Sequence, residues 1–165
     1  MKITLREYAG QAAGMCPLIR AFWLAHNDYV QSEEEALDDL AAWTQVGHKL
    51  YFICADGRDV GFLHLGSRGN APDWLEDIFV LPDHQGKGIG SAAIALAERI
   101  VMQYSDSLYI EAAARNERAI RLYRKLGYDC INTITIRKDF HPEKDRTVDT
   151  QRLYGMDFDI RIRKD

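Results

Sequence analysis

The chain has 165 residues, of which 47% are hydrophobic and 28% charged, a balance that points to a globular protein and excludes a disordered one. Its 21 Lys and Arg stand against 25 Asp and Glu, for a net charge of -4, which removes the simplest case for a nucleic-acid binder or for general affinity to anionic membrane. No apolar run reaches the ~20 residues that a bilayer span needs, and Met1 to Gly10 carries no signal-peptide core. Three scattered cysteines, Cys16, Cys54 and Cys130, form no C-x-x-C pair and read as reduced thiols in a cytoplasmic protein. The length predicts one domain over 1–165.

Ile3 and Leu5 alternate with polar neighbours and predict a short first strand. From Gln11 to Ala25 the apolar residues Leu18, Ile19, Phe22 and Trp23 recur at helical spacing, although Pro17 interrupts the pattern. Ser32 followed by Glu33, Glu34 and Glu35 is a capping box with acids in the first turn, so a second helix runs on to about Val46. Leu50–Ala55 and Val60–Leu65 read as strands joined by the turn Asp56-Gly57-Arg58-Asp59. Trp74–Leu81 is the next strand, Gly90–Tyr104 a helix, Ser107–Ala112 a strand, and Glu117–Leu126 a helix stopped by Gly127. Two late strands alternate with period two, one over 133–137 and one over 154–163, with Lys138–Thr150 as a loop between them. The pattern predicts an α/β (α+β) layered domain.

The stretch that carries chemistry is Glu76-Asp77-Ile78-Phe79-Val80-Leu81-Pro82-Asp83-His84-Gln85-Gly86-Lys87-Gly88-Ile89-Gly90-Ser91. A strand enters a glycine-rich turn that opens a helix. Glycines permit close backbone approach and positive φ. The first helical amides are unpaired and the helix dipole adds positive potential, which makes a pyrophosphate site. A P-loop does not fit, because Gly86-Lys87 is followed by Gly88 and lacks the first glycine. A dinucleotide fingerprint fits Gly86 and Gly88 but meets Ser91 at the third position. The pattern [QR]-x-x-G-x-[GA] is matched in full by Gln85-Gly86-Lys87-Gly88-Ile89-Gly90.

Here the chain resembles the GNAT superfamily of acyl-coenzyme A N-acyltransferases. The acidic-aromatic run Leu75-Glu76-Asp77-Ile78-Phe79-Val80 and the stretch from Ile110-Glu111 through Asn116 to Tyr123 and Gly127-Tyr128 agree with it in order and spacing. The resemblance is strongest over 74–128 and the element order extends it over nearly the whole chain. It implies a mixed, mostly antiparallel central sheet of about seven strands with about four helices, and a splayed strand pair at the glycine turn.

The resemblance also implies roles. The amides of Gly86, Lys87, Gly88, Ile89, Gly90 and Ser91, with Gln85 at their head, would hold the pyrophosphate of acetyl-CoA, the cosubstrate. Ile78, Phe79 and Val80 would bind the pantetheine through the backbone, with the Val80 amide polarising the thioester carbonyl. Acyl transfer to an amine needs removal of an ammonium proton, because an alkylamine has a pKa near ~10.4. Glu76 is the candidate general base, acting through water, and Tyr123 the candidate general acid at the sulfur. Asn116 would contact the pantetheine arm and also N-cap the helix from Glu117. Strand alternation sets Glu76 and Asp77 on opposite faces. The five histidines show no metal-ligand spacing, and no metal is expected.

The acceptor region implied is His26 to Gln31 and Lys138 to Thr150, with His26, Asp28 and Tyr29 as candidate contacts. The acids Glu33, Glu34, Glu35, Asp38 and Asp39 read as a solvated helix face, or as a lip for a cationic amine such as a polyamine, an aminoglycoside or a lysine side chain. The expected activity is N-acetylation of a small-molecule or peptide amine. A non-catalytic coenzyme A-binding sensor is the alternative, against which Glu76, Asn116 and Tyr123 count. A nucleotide enzyme is a third. The alternating final strand, Tyr154 to Arg163, suits a homodimer.

Overall fold

The structure is a computed structural model and describes residues 1–69 and 71–164. The chain forms two compact units, Met1–Glu111 and Ala112–Asp165.

The first unit is a five-stranded sheet in the order β1 (Ile3–Glu7), β2 (Lys49–Ala55), β3 (Arg58–Gly66), β4 (Trp74–Val80), β5 (Tyr109–Ile110). The first four strands are antiparallel and β5 joins β4 in parallel. The β2–β3 turn is the one the sequence predicts, with Asp56 and Gly57 both at positive φ, the geometry that matches strand twist in a two-residue hairpin. Helices α1 (Ala12–Asn27) and α2 (Glu33–Trp43) cover one face. Met15, Ile19 and Phe22 of α1 and Ala36 and Leu40 of α2 pack on Phe52, Phe62 and Phe79 of the sheet. Helix α3 (Ile89–Val101) packs against β1 and β4 and buries Ile89, Ala93, Ile94, Ala97 and Val101.

Helix α1 runs through Pro17. The proline removes one helical N–H, and the burial of Met15, Cys16, Leu18 and Ile19 around it offsets that loss, each such side chain contributing roughly 1.5–3 kcal/mol. Helix α2 begins with the predicted capping box: Ser32 Oγ accepts from Glu35 N–H at 3.1 Å and the Glu35 carboxylate accepts from Ser32 N–H at 2.7 Å.

The second unit holds α4 (Glu117–Lys125) and an antiparallel pair, β6 (Asp145–Leu153) and β7 (Met156–Arg163). Four helices and seven strands are present among the described residues, as the resemblance implies, but the strands divide into sheets of five and two. Two expectations are corrected. Residues 133–137 form no strand, and the end of the expected loop Lys138–Thr150, from Asp145 onward, belongs to β6. Strand β6, Asp-Arg-Thr-Val-Asp-Thr-Gln-Arg-Leu, is too polar to read as one. It is set by cross-strand pairs with β7: Asp145 with Arg163 at 3.6 Å, Arg152 with Asp157 at 3.7 Å, and Thr150 with Asp159 at 3.1 Å. Tyr154 and Gly155 at positive φ close that hairpin.

Candidate functional site

Strand β4 pairs with β5 only at Trp74 and Leu75. Beyond Leu75 it keeps β3 on one side and leaves its other edge open, which is the splay the resemblance implies. Leu81 N–H donates to Val60 O on β3 at 2.8 Å. Alternation along an antiparallel strand then turns the polar backbone of Phe79 toward β3 and that of Ile78 and Val80 toward the open edge. The Phe79 side chain is in the core.

At the end of β4 the chain makes a short 3-10 turn, Pro82–His84, and reaches the glycines. Gly86 and Gly88 sit at φ of 73° and 77°, in the left-handed region that favours glycine. Gln85 Nε2 donates to Val80 O at 2.8 Å and so clasps the strand end to the turn. Lys87 Nζ donates to Asp83 O at 2.7 Å. Gly88 caps α3, and its carbonyl accepts the first helical bond, from Ala92. Among the described residues, the amides from Gly86 to Ser91 have no backbone acceptor outside the helix. A Cβ built at Gly86, Gly88 or Gly90 would meet nothing within 4 Å. Open amides, an open cradle and a helix N-terminus together fit a pyrophosphate.

The two acids of β4 depart from the predicted alternation. The ladder steps from His64↔Asp77 to Leu65↔Leu75, so Glu76 is an extra residue, a β-bulge. Asp77 faces the same side as its partner His64. A Cβ at Gly66, on that same side of β3, would touch Glu76 Cγ at 2.7 Å. Both carboxylates therefore lie on the face of β4 that α1 and α2 cover. The Glu76 carboxylate is held by Arg68, whose Nη1 donates to Oε1 and whose Nη2 donates to Oε2 at 3.1 Å. The Arg68 guanidinium lies 4.5 Å from the Trp74 ring centroid.

Asp77 leads to two residues that the sequence reading does not single out. Its Oδ2 lies 2.9 Å from His64 Nδ1, and His64 Nε2 lies 2.8 Å from His48 Nδ1. His64 is only 2% exposed and stacks on Trp43 at 5.0 Å. Burial, with the neighbouring His64, pushes the His48 pKa down. The sequence holds no signal for the pair: an unbroken hairpin from the Ala55–Arg58 turn would pair Lys49 with His64 and turn His48 to the other face, and a bulge at Ile53/Cys54 shifts the pairing to Lys49 with Leu65 and brings the two histidines to one face.

Of the candidate acceptor residues, His26 stacks on Phe22 at 5.2 Å, Asp28 ends α1 at φ 52°, and Tyr29 donates its hydroxyl to Glu35. All three are exposed. The acidic run is partly committed to structure, because Asp39 accepts from Trp23 Nε1 at 2.7 Å and from Gln31 Nε2 at 2.6 Å. In the second unit, Asn116 Oδ1 accepts from Ala119 N–H at 3.2 Å, the expected cap of α4. Tyr123 lies on α4 with its pKa raised by burial. Among the described residues no group of three His, Cys, Asp or Glu side chains gathers as a metal would need, and no helix is long and apolar enough to cross a membrane.

Residues 15–128 match the model of a family described as "Acetyltransferase (GNAT) family"; the chain belongs to that family. The alanine N-acetyltransferase of ribosomal protein bS18 from Escherichia coli (strain K12) is 36% identical over 72 residues, 43% of this chain. The match spans about half, 47%, of that relative's length. A Bacillus subtilis subsp. natto protein named "Probable spermine N(1)-acetyltransferase" is 29% identical over 128 residues, 70% of this chain and 78% of that one. Among solved structures, the fold is shared with AAC(6')-Iy in complex with a bisubstrate analog, at TM-score 0.64 and 20% identity, covering 84% of this chain and 99% of that one. It is also shared with the ribosomal-protein-alanine N-acetyltransferase of Brucella melitensis biovar Abortus 2308, at TM-score 0.66 and 18% identity over 84% and 100%.

Proposed function

We propose that the chain is an N-acetyltransferase that moves the acetyl group of acetyl-CoA to a primary amine, carried by a small cationic molecule or a peptide. The observation that carries this reading is the run of open amides from Gly86 to Ser91 at the head of α3, next to a strand edge free from Ile78 onward. Backbone N–H groups at a helix N-terminus suit a pyrophosphate. The free edge of β4 suits the amide groups of a pantetheine arm, and the outward N–H of Val80 suits a developing oxyanion.

The amine nitrogen attacks the thioester carbonyl carbon, the C–S bond breaks, and the thiolate takes a proton. Tyr123 is the proposed acid for that last step, and its raised pKa keeps the phenol protonated at neutral pH. Glu76 is the proposed base, its carboxylate oriented by Arg68. Asn116 adds a polar side chain at the head of α4. His26, Asp28 and Tyr29 are proposed for the acceptor. The names of relatives span a protein alanine and spermine, which supports an amine and leaves its carrier to the assay. Free thiols at Cys16, Cys54 and Cys130 suit a reducing cytoplasm.

Titration calorimetry with acetyl-CoA, and with NAD and ATP as controls, tests the cofactor. An amine panel read by thiol release tests the reaction. Binding of acetyl-CoA alone followed by turnover is the expected result. Binding without turnover on any amine would leave the coenzyme A sensor as the reading, and no binding would overturn both. A homodimer is proposed from β7, and light scattering that shows only monomer at micromolar concentration would refute it.

A further inference from the structure

We propose that His48, His64 and Asp77 form a proton relay that carries away the proton Glu76 takes, through water, from the acceptor amine, with His48 as the relay's entry and the other two as positioning residues; this rests on the acetyltransferase reading above. Three elements deliver the three side chains in a line. Asp77 Oδ2 lies 2.9 Å from His64 Nδ1, and His64 Nε2 lies 2.8 Å from His48 Nδ1. The two imidazole planes are within 23° of each other and their centroids 5.1 Å apart, a separation that the ring radii and the 2.8 Å bond account for. The rings therefore meet edge to edge, the arrangement in which a proton passes between ring nitrogens.

The hydrogen-bond inventory fixes the order of events. A carboxylate only accepts, so His64 Nδ1 carries a hydrogen toward Asp77. One further proton lies between the rings. While it rests on His48 Nδ1, His48 Nε2 is a bare lone pair, with no hydrogen-bond partner among the described residues. When Nε2 takes the ammonium's proton from Glu76, the shared proton moves to His64 Nε2. His48 again carries one hydrogen and His64 carries two, against the Asp77 carboxylate. Of the three ammonium hydrogens, one goes to the relay, one replaces the proton that the phenol gives the departing thiolate, and one stays on the amide nitrogen. No oxidant or further reactant is needed.

The surroundings suit the task. His48 is half-buried, whereas His64 is shielded by Trp43 from α2, so a proton enters at the accessible end and its charge settles beside the carboxylate. The charged groups facing His48 are Glu76 on β4 and Arg68 after β3, which act on it in opposite directions, and His64 itself. The depressed His48 pKa leaves its ring unprotonated at neutral pH, as a base requires. Asp77 and Glu76 come to this same face because of the bulge in β4.

The experiment compares wild type with His48→Ala and Asp77→Asn, each checked for folding by circular dichroism, in acetylation of one primary amine from pH 6 to pH 10. His48→Ala is expected to lower kcat at pH 7 by about 100-fold and to leave KM for acetyl-CoA within about twofold. The deficit should shrink toward pH 10, where the amine sheds its proton unaided, and added imidazole should restore part of the rate. A deficit constant with pH, or a wild-type rate, would overturn the relay. Long-range 1H–15N NMR of the ring nitrogens reads the relay without turnover: His48 and His64 should both carry hydrogen on Nδ1. A bare Nδ1 on His48 in neutral solution would refute the hydrogen-bond order. Failure of the acetyltransferase reading shows separately, as wild type that acetylates no amine, and the relay role of His48 falls with it.

Discussion

Gly61 on β3 faces Val80, at the end of the strand proposed to hold the pantetheine. A Cβ at Gly61 would stand 2.0 Å from Phe79 O and 3.0 Å from Val80 Cα, both backbone atoms. Real Cβ contacts do not fall below 3.0 Å, so Gly61→Ala must push β4 away by about 1 Å. Overpacking of this kind costs about 1–3 kcal/mol, and the upper end applies because no flexible side chain can give way. For a chain of this size that lowers Tm by roughly 6–12 °C. A misplacement near 1 Å can also cost on the order of 100-fold in rate. Gly14→Ala is the control: its Cβ would meet the Phe52 ring at an ordinary 3.5 Å, and the gain in helix propensity should raise Tm by a few degrees, from about 0.5–1 kcal/mol. Thermal unfolding followed by circular dichroism, with acetyl-CoA titration on the folded variant, checks both. A Gly61→Ala protein with wild-type Tm and wild-type affinity would show that β4 does not depend on close approach at this point.

Gly88→Val places a branched side chain at φ 77° in the open space above the turn; acetyl-CoA affinity should fall beyond detection in calorimetry, and unchanged affinity would refute the pyrophosphate assignment. Tyr123→Phe keeps the ring and removes the phenol proton, so kcat should fall about 10- to 100-fold with Tm within a few degrees; a wild-type rate would remove Tyr123 as the acid. Tyr51 is buried, and burial pushes its pKa from 10.0 up to about 12. The unfolded chain ionises this phenol first, so the stability it contributes is complete below pH 10 and is lost between about pH 10 and pH 12, on the order of 2–3 kcal/mol. Thermal melts at pH 9 and pH 11 should show a drop that Tyr51→Phe reduces.

Much of this fold is legible in the sequence where local chemistry decides the outcome. The Ser32–Glu35 box, the Asp56-Gly57 turn and the glycine run at 86–90 each fix their own backbone, and the structure places them as read. Legibility fails where partners decide. Strand β6 has no apolar stripe and is made by its pairing with β7, and the alternation of 133–137 finds no ladder at all. The same reason hides the histidines. His48 and His64 are 16 positions apart and meet only through strand register, and a periodicity reading of β4 sends Glu76 and Asp77 apart because a bulge leaves no mark in hydrophobic period. Gly66 is its one trace, since any larger residue there would strike Glu76.

That bulge separates what the strand needs from what it carries. With Glu76 removed, Trp74, Leu75, Asp77, Ile78 and Phe79 would alternate without a break against β3, and every core contact of β4 would keep its side. The sheet has no use for the extra residue and forfeits a regular rung to hold it. A deletion at 76 would therefore keep the pairing of the scaffold and remove the proposed base alone, a cleaner separation of the two than any substitution.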